Sequence, residues 1–306
     1  DRDRLRIPFG HELKTGDVMY LDIKEGAEFG AGPHGMLIGT TGSGKSEFLR
    51  TLILSLAATH HPDQINLLLT DFKGGSTFLG MEKLALNNMV QDPSLINTCL
   101  AYQVMAQAGL PAPRCSFARV AVNGFDLGLY AHVDSVKKPF LARHFSSDEG
   151  NLYEATLSDF TEVYRGTWEK KTNNTENDWS DLDAAVAALE VPDEELLEAL
   201  EQVFDLETFY THWAAEVLIG HWDGYAGNLN NTYLYADPSD GLFRFIPWGA
   251  DSAFVEADYF IGLEGKLPDA VYAFGHLARR LYAHGEGRAA YVARLNGLID
   301  DTWDPE

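Results

Sequence analysis

Apolar residues in the first 83 positions follow two spacings. Short apolar runs at 34–38 and 65–70 predict strands, and the stretch between them carries apolar side chains at helical spacing. Those helical positions are Phe48, Leu49, Leu52, Ile53 and Leu56. The order strand, helix, strand is typical of an α/β unit.

The remainder of the chain carries longer helical patterns between short strands. Alternation at 117–122 and 127–133 around Asn123 and Gly124 predicts a β-hairpin, because Asn-Gly favours a tight turn. The other predicted elements are a helix from Asp92 to Gly109 with Ile96, Leu100 and Val104 on one face, a polar loop at 170–181, a solvated helix at 193–203, a buried helix at 205–220, strands at 233–235 and 242–246, and two amphipathic helices after Val271. This part is predicted to be an α+β fold.

Charge divides the chain near Lys83 and Leu84. The 306 residues carry 23 Lys or Arg and 46 Asp or Glu, of which residues 1–83 hold only 9 and 11. The rest therefore has 14 basic and 35 acidic side chains, with no Lys or Arg at all between Thr172 and Phe243. Such a surface repels nucleic-acid phosphates, so we expect no nucleic-acid partner, and a bound nucleotide would need a divalent metal ion.

Apolar runs and cysteines bear on the cellular location. No run approaches the about 18 apolar residues of a membrane span, and no signal-peptide region follows the first residues, so a cytoplasmic protein is expected. The two cysteines, Cys99 and Cys115, are too few for a disulfide framework or a cysteine-based zinc site. Cys99 lies at helical spacing from Leu95 and is expected to be a small core residue in a reducing compartment.

A glycine-rich turn separates the first predicted strand from the helix, and it has the sequence of a P-loop. Its backbone N–H groups would close around phosphate oxygens, and the helix N-terminus adds a favourable dipole. Lys45 would reach the β- and γ-phosphates of ATP, and Ser46 would bind Mg²⁺. The predicted nucleotide-binding residues are Gly39, Thr40, Thr41, Gly42, Ser43, Gly44, Lys45 and Ser46.

Asp71 ends the second predicted strand and has two interpretations. It is either the Walker B carboxylate or an acid with no part in catalysis, because no glutamate stands beside it and its strand directly follows the P-loop helix. Without a second carboxylate and a water-positioning glutamate, phosphoryl transfer loses most of its electrostatic assistance. We therefore expect this segment at most to bind ATP, and to hydrolyse it slowly or not at all.

Two stretches of the first segment resemble a known family. GPHGMLIGTTGSGKS from Gly32 to Ser46, and DFKGGSTFLG from Asp71 to Gly80, are similar to the FtsK/SpoIIIE-type ATPase EccC of type VII (ESX) secretion. The resemblance covers residues 5–83. It implies a nucleotide-binding module coupled to protein export, although the family's Walker B Asp-Glu pair, which lies further downstream, is absent from this sequence.

A second set of candidate site residues lies in the larger, acidic part. His221-Trp-Asp223 follows the predicted buried helix, Asn228 comes five residues after Asp223, and Asp251 follows the second of two strands. This order resembles a protein-kinase catalytic loop and its metal-binding aspartate. Asp223 would accept the proton of a substrate hydroxyl, while Asn228 and Asp251 would hold Mg²⁺ against the phosphates.

Alternatives to these assignments stay open. Asn230 and Asn231 compete with Asn228 for the metal position. Asp223 and Asp251 could instead be a loop acid and a turn acid without catalytic roles. His221 is expected to brace the loop rather than to act as a base.

The same part of the chain resembles the CotH family of atypical, kinase-fold proteins over about 220 residues. The matching stretches include LNNMVQDPS from Leu86, GLPAPR ending at Arg114, WDGY from Trp222 and IPW ending at Trp248. The resemblance implies ATP- and Mg²⁺-dependent transfer of phosphate to Ser or Thr of another protein, with Asp223 in the catalytic loop and Asp251 on the metal.

Two departures from that family stand out. Many members have Pro-Trp-Asp before the final aspartate, whereas Gly249 and Ala250 intervene here. The family also has an Arg-Gly-Asn loop and a Lys-bearing strand upstream of Leu84, which clasp the nucleotide phosphates. In this chain the P-loop segment occupies that place, so we expect a kinase site of this kind to bind ATP poorly.

The sequence therefore predicts a fusion of an α/β P-loop fragment (strand, P-loop, helix, strand) with an α+β atypical protein-kinase-like fold. Residues 1–83 would be a partial FtsK/SpoIIIE-like ATPase segment, and residues 84–306 a CotH-like kinase domain without its N-terminal strands. The favoured function is ATP-dependent phosphate transfer to a protein. The alternatives are a nucleotide-binding module of an EccC-like secretion ATPase and a structural protein with two vestigial sites.

Overall fold

A computed structural model describes residues 6–23, 45–59, 84–90, 92–122, 125–254 and 271–302. The chain separates into two compact units, Asp1–Lys83 and Leu84–Glu306. Across these described ranges, none of the helices combines the length and apolar character that crossing a membrane requires.

The first unit contains a hairpin and a helix. Strands β1 (Arg6–His11) and β2 (Val18–Asp22) pair antiparallel, and helix α1 spans Lys45–Thr59. The helix packs on the hairpin through a hydrogen bond of 2.9 Å from Ser55 Oγ to the Pro8 carbonyl oxygen. Helix α1 is the one predicted from apolar spacing, whereas the hairpin was not predicted. The described residues do not include the two predicted strands at 34–38 and 65–70, nor Asp71, nor the P-loop residues 39–44.

The second unit contains a three-stranded antiparallel sheet of order β3-β5-β4. Its strands are β3 (Ala85–Asn87), β4 (Cys115–Val122) and β5 (Phe125–Val133). Strands β4 and β5 pair from Cys115 opposite Val133 to Val122 opposite Phe125, which confirms the predicted hairpin. Strand β3 lies on the other side of β5, with Asn87 opposite Ala131.

A four-stranded antiparallel sheet of order β7-β6-β8-β9 forms the second layer of strands in this unit. Its strands are β6 (Asn151–Glu154), β7 (Glu169–Lys170), β8 (Thr232–Ala236) and β9 (Phe243–Pro247). Strands β8 and β9 are the two predicted downstream of Asp223, and they pair from Thr232 opposite Pro247 to Ala236 opposite Phe243.

Helix α6 passes through the core of the second unit. Phe209 and Trp213 on α6 are fully buried, and the Trp213 ring stacks on Tyr291 with 3.8 Å between centroids. Asp205 caps the helix by accepting a 3.0 Å hydrogen bond from the Thr208 N–H. The helices are α2 (Asn97–Gln107), α3 (Lys138–His144), α4 (Ser180–Leu189), α5 (Leu196–Glu201), α6 (Leu206–Leu218), α7 (Tyr225–Asn228), α8 (His276–Ala283) and α9 (Gly285–Thr302). The buried helix and the two C-terminal helices are confirmed.

Two predicted helices differ from those observed. Helix α2 begins at Asn97 rather than at Asp92, because the Asp92 carboxylate accepts the Asn97 N–H at 2.7 Å and so precedes the first turn. Helix α5 is shorter than the solvated helix predicted at 193–203. Glu198 and Glu201 are exposed as predicted, but Leu196 and Leu200 are fully buried.

The two cysteines form a disulfide, Cys99–Cys115, which joins α2 to β4. Cys99 is partly buried against the core, as a small core residue would be, but its bond to Cys115 was not predicted. Counting cysteines excluded a framework of several bonds, but it does not exclude one bond between elements that pack together. Since disulfides persist chiefly in oxidising compartments, the cysteines no longer support a reducing one. The cytoplasmic location stays a prediction.

Candidate functional site

Asp223 lies in the turn between α6 and α7, where asparagine side chains hold its carboxylate. Oδ1 accepts a hydrogen bond from Asn228 Nδ2 at 2.6 Å, and Oδ2 accepts one from Asn231 Nδ2 at 2.6 Å. Asn230 Nδ2 lies 3.4 Å from Oδ1. Both oxygens of the half-buried carboxylate are thus fixed in orientation while the residue remains partly open to solvent.

Glu216 anchors the backbone that follows Asp223. This fully buried side chain accepts the Tyr225 N–H on Oε1 and the Ala226 N–H on Oε2, both at 3.0 Å. These N–H groups belong to the first turn of α7 and have no partner within the helix. Burial raises the pKa of Glu216. His212 at 3.1 Å, His221 and the Ala226 N–H lower it by more, so the pKa lies below its usual value.

The turn leaves no room for larger residues at two glycines. A Cβ atom on Gly224 would lie 2.1 Å from Glu216 Oε1, and one on Gly227 would lie 2.1 Å from the Trp222 carbonyl oxygen. His221 is 1% exposed, and burial lowers the pKa of its ring. The bracing role of His221 stays a prediction.

Asp251 lies in the 3₁₀ turn Ala250–Ser252 after β9. Asn87 Nδ2, at the end of β3, lies 3.4 Å from Asp251 Oδ2. Asn87 Oδ1 accepts the Met89 N–H at 2.8 Å, which fixes the amide so that its NH₂ group faces the carboxylate. The end of β3 therefore meets the turn that follows β9 at Asp251.

Gly249, one of the two residues that depart from the Pro-Trp-Asp pattern, lies against Asn231. Its φ of +54° favours glycine, and a Cβ atom there would lie 2.3 Å from Asn231 Oδ1. The Trp248 N–H donates to the Asn231 carbonyl oxygen at 3.3 Å. Asn231 consequently contacts both the Asp223 carboxylate and the backbone that leads to Asp251.

A cavity of about 570 Å³ opens beside Asp251. One wall is made by Asn231, Trp248, Gly249 and Asp251, and the opposite wall by residues of β3, α2 and β5. The volume lies within the range of roughly 300–1,000 Å³ that is typical of small-molecule sites. Among the described residues that line it there is no Lys or Arg.

The donor atoms in the cavity suit a hard cation. The Asp251 carboxylate and the amide oxygens of asparagine are the ligand types that Mg²⁺ accepts in proteins. No cluster of three His, Cys, Asp or Glu side chains suited to a metal occurs in the ranges that the structure covers. A metal ion here would therefore be coordinated by few protein side chains. Water and phosphate oxygens would complete its coordination shell.

The structure brings together only part of the predicted site. Asp223 and Asn228 are hydrogen-bonded, and Asp251 lies on the cavity, where Asn231 is the one of the three candidate asparagines among the described lining residues. Lys45 begins α1 together with Ser46, but their side chains lie outside the described part of the chain, as do Gly39, Thr40, Thr41, Gly42, Ser43 and Gly44.

Sequence reasoning missed Glu216 and Asn87. A signal for Glu216 was present, because it is an acid within an apolar helix and follows His212 by four residues, a spacing that places the two side chains together. Asn87 had no comparable signal. Asn87 and Asp251 are 164 residues apart in sequence, so their approach depends on tertiary packing.

Two protein families match the chain. The model of the CotH family, described as CotH kinase protein, matches residues 59–306. The model of the FtsK/SpoIIIE family matches residues 1–106. The two-part architecture expected from sequence is confirmed at this level, and the matches overlap between residues 59 and 106.

Individual relatives show the same division. ESX-1 secretion system protein EccCa1 of Mycobacterium tuberculosis is 79% identical over 102 residues, which cover 32% of this chain and 14% of that protein. ESX secretion system protein EccC of Thermomonospora curvata is 61% identical over 83 residues, which cover 27% of this chain and 6% of that protein. Inner spore coat protein H of Bacillus subtilis is 27% identical over 245 residues, which cover 75% of this chain and 66% of that protein. The chain thus spans about a seventh of the length of EccCa1.

Proposed function

The chain belongs to the CotH kinase protein family, and from this membership we propose that residues 84–306 transfer the γ-phosphate of ATP to a Ser or Thr hydroxyl of a protein. The observation that carries the proposal is the position of Asn231, which is hydrogen-bonded to Asp223 and lines the cavity beside Asp251. We propose that the two acids act together through Asn231 in phosphoryl transfer, which needs a proton acceptor and a metal-binding acid.

Asp223 is proposed as the group that receives the proton. The substrate hydroxyl oxygen would form a bond to the γ-phosphorus as the bond to the β-phosphate oxygen breaks, and ADP would leave. The hydroxyl proton would pass to Asp223, whose two oxygens are oriented by Asn228 and Asn231.

Asp251 is proposed to hold Mg²⁺, which would neutralise charge on the phosphates. The sequence order favours Asn228 as its partner ligand. The cavity favours Asn231, because Asn231 lines it with Asp251 and Asn228 is not among the described lining residues. We propose Asn231 for the metal and Asn228 for orienting Asp223.

The test is transfer of radiolabelled γ-phosphate to the chain itself and to casein as a generic acceptor. Asp223→Asn keeps the size of the side chain and its acceptor oxygen but lowers its basicity, and we expect the rate to fall by about 10²- to 10⁴-fold. Asp300→Asn, an exposed acid on α9, is the matched control and should not change the rate. Unchanged transfer in Asp223→Asn would exclude the proposed role.

A second candidate function rests on the first unit. The 79% identity to EccCa1 over 102 residues supports a nucleotide-binding module derived from a secretion ATPase. In that case Lys45 would contact the phosphates and Ser46 the metal. Lys45→Ala should then abolish nucleotide binding, while Asp251→Asn should leave it unchanged.

A further inference from the structure

Helices α5, α6 and α9 surround a second cleft in the larger unit. Its volume is about 460 Å³, which lies within the range of roughly 300–1,000 Å³ that is typical of small-molecule sites. None of the described residues that line it also lines the cavity beside Asp251. The cleft is therefore a separate feature that phosphate transfer does not use.

Tyr210 of α6 presents an unpartnered hydroxyl group at this cleft. The residue is 9% exposed, and its Oη has no hydrogen-bond partner among the described residues. Tyr291 Oη is fully enclosed by protein, whereas Tyr210 Oη is not. Burial and then the charge of Glu201 raise the pKa of Tyr210 to about 12, and Glu201 lines the same cleft. The hydroxyl therefore lies on the cleft side of the ring, where it can meet a ligand.

Carboxylates dominate the charge of the cleft. Glu201, Glu207 and Glu286 line it, are exposed, and have no ion-pair partner among the described residues. Arg294 is the single base among the described lining residues, and its Nε donates a 2.8 Å hydrogen bond to Thr211 Oγ1. Three acids and one base give this lining a net charge of −2. The cleft therefore attracts a ligand that carries two or more positive charges.

Apolar side chains form another part of the lining, namely those of Leu197, Leu206 and Ala290. Apolar walls next to carboxylates suit a ligand whose positive charges are carried on a methylene chain, because the chain packs on the leucines while the charged ends reach the acids. An inorganic cation such as Mg²⁺ would gain nothing from the apolar walls, since it binds oxygen ligands and water.

We infer that this cleft binds an aliphatic polyamine, independently of the proposed phosphate transfer. The methylene segments pack against Leu197 and Leu206, the ammonium groups meet the carboxylates, and one ammonium group donates to Tyr210 Oη. Ammonium groups only donate hydrogen bonds, and both carboxylates and a phenol oxygen accept them. A free polyamine fits better than a lysine side chain of another protein, because lysine brings a single charge to a lining with a net charge of −2.

The deciding experiment is calorimetry of spermidine binding to the whole chain at near-physiological ionic strength, which screens unspecific attraction to the acidic surface. We expect one saturable site. Tyr210→Phe removes only the hydroxyl group and should weaken binding by about ten-fold, the effect of losing one hydrogen bond to a charged group. Tyr291→Phe is the matched control, since its hydroxyl is enclosed and does not line the cleft, and it should leave the affinity unchanged.

A second pair of variants tests the charges. The double variant Glu207→Gln, Glu286→Gln removes two carboxylates from the cleft and should weaken spermidine binding by at least about ten-fold. The double variant Glu194→Gln, Glu198→Gln removes two exposed charges of the same unit that do not line the cleft, and its affinity should stay within about two-fold of the wild type. All four side chains are exposed, so neither double variant should change the melting temperature by much.

A lysine derivative blocked at both ends, with one ammonium group on an alkyl stem, distinguishes a free polyamine from a lysine side chain. It should bind at least about ten-fold more weakly than spermidine. Binding as tight as that of spermidine overturns the polyamine in favour of a protein partner. Equal affinity of Tyr210→Phe and Tyr291→Phe, or of the two double variants, overturns the cleft as the site. Absence of a saturable site for spermidine in the wild type overturns the inference, and phosphate transfer is tested separately at Asp223.

Discussion

Asn231 donates a hydrogen bond of 2.6 Å from its Nδ2 to Oδ2 of Asp223, and it also lines the cavity that contains Asp251. A single side chain thus connects the proposed proton acceptor with the proposed metal site. Glu216 and Gly249 support this arrangement, since the first holds the turn after Asp223 and the second leaves room for the Asn231 side chain.

Asn231→Ala and Asn228→Ala should separate the two roles. Both variants loosen Asp223, so both should slow phosphate transfer, by about ten-fold to a hundred-fold each. Only Asn231→Ala removes an amide from the cavity and should weaken Mg·ATP binding. Initial rates and calorimetry measure the two effects. Weaker binding in Asn228→Ala alone would assign the metal position to Asn228 instead.

The β4–β5 hairpin, helix α6, strands β8 and β9 and the two C-terminal helices could be predicted from sequence, whereas β1, β2, β3, α3, α4, β6 and β7 were not predicted. The candidate acids stay a prediction, and sequence could not decide among the three asparagines. Leu229 and Asn231 have φ values of +59° and +45°. In this left-handed region the chain turns away from helical geometry, so side-chain directions cannot be taken from residue spacing. The disulfide and the burial of α5 were missed for a similar reason, because both depend on tertiary packing.

Glu216→Gln tests the buried anchor. Glutamine can accept only one of the two N–H groups of α7, and the other is left buried without a partner, so the free energy of unfolding should fall by about 1–3 kcal/mol. The pKa of Glu216 is depressed in the folded state. Its stabilising contribution is therefore present at neutral pH and is lost as the pH falls below the usual glutamate range.

Urea unfolding at neutral and at acidic pH measures this dependence. The gap between the wild type and Glu216→Gln should be largest near neutral pH and should narrow on acidification. A gap that widens as the pH falls would contradict the ionised state of Glu216 in the folded protein.

Gly224→Ala should be strongly destabilising. The new methyl group would lie 2.1 Å from Glu216 Oε1, so either the turn or the carboxylate must move, at a cost of about 1–3 kcal/mol. Gly297→Ala is the control, because a Cβ atom at that helical position meets nothing within 4 Å. It should stabilise the protein by about 0.5–1 kcal/mol. Thermal unfolding compares the two, and equal melting temperatures would argue against the observed packing of Gly224.

Reduction of the Cys99–Cys115 disulfide should lower the free energy of unfolding by about 3 kcal/mol, the value for a loop of this length. The melting temperature should therefore fall when a reductant is added. The Cys99→Ser, Cys115→Ser double variant should melt at the reduced temperature with or without reductant. If the melting temperature of the wild type does not change when the reductant is added, this bond does not stabilise the fold.

The most direct test of the central claim is calorimetry of Mg·ATP binding to the wild type, Asp251→Asn and Lys45→Ala. The two substitutions lie in different compact units and separate the cavity from the P-loop. We predict that binding is lost in Asp251→Asn and kept in Lys45→Ala. Binding that disappears only in Lys45→Ala, or that is absent from the wild type, would contradict a nucleotide site beside Asp251.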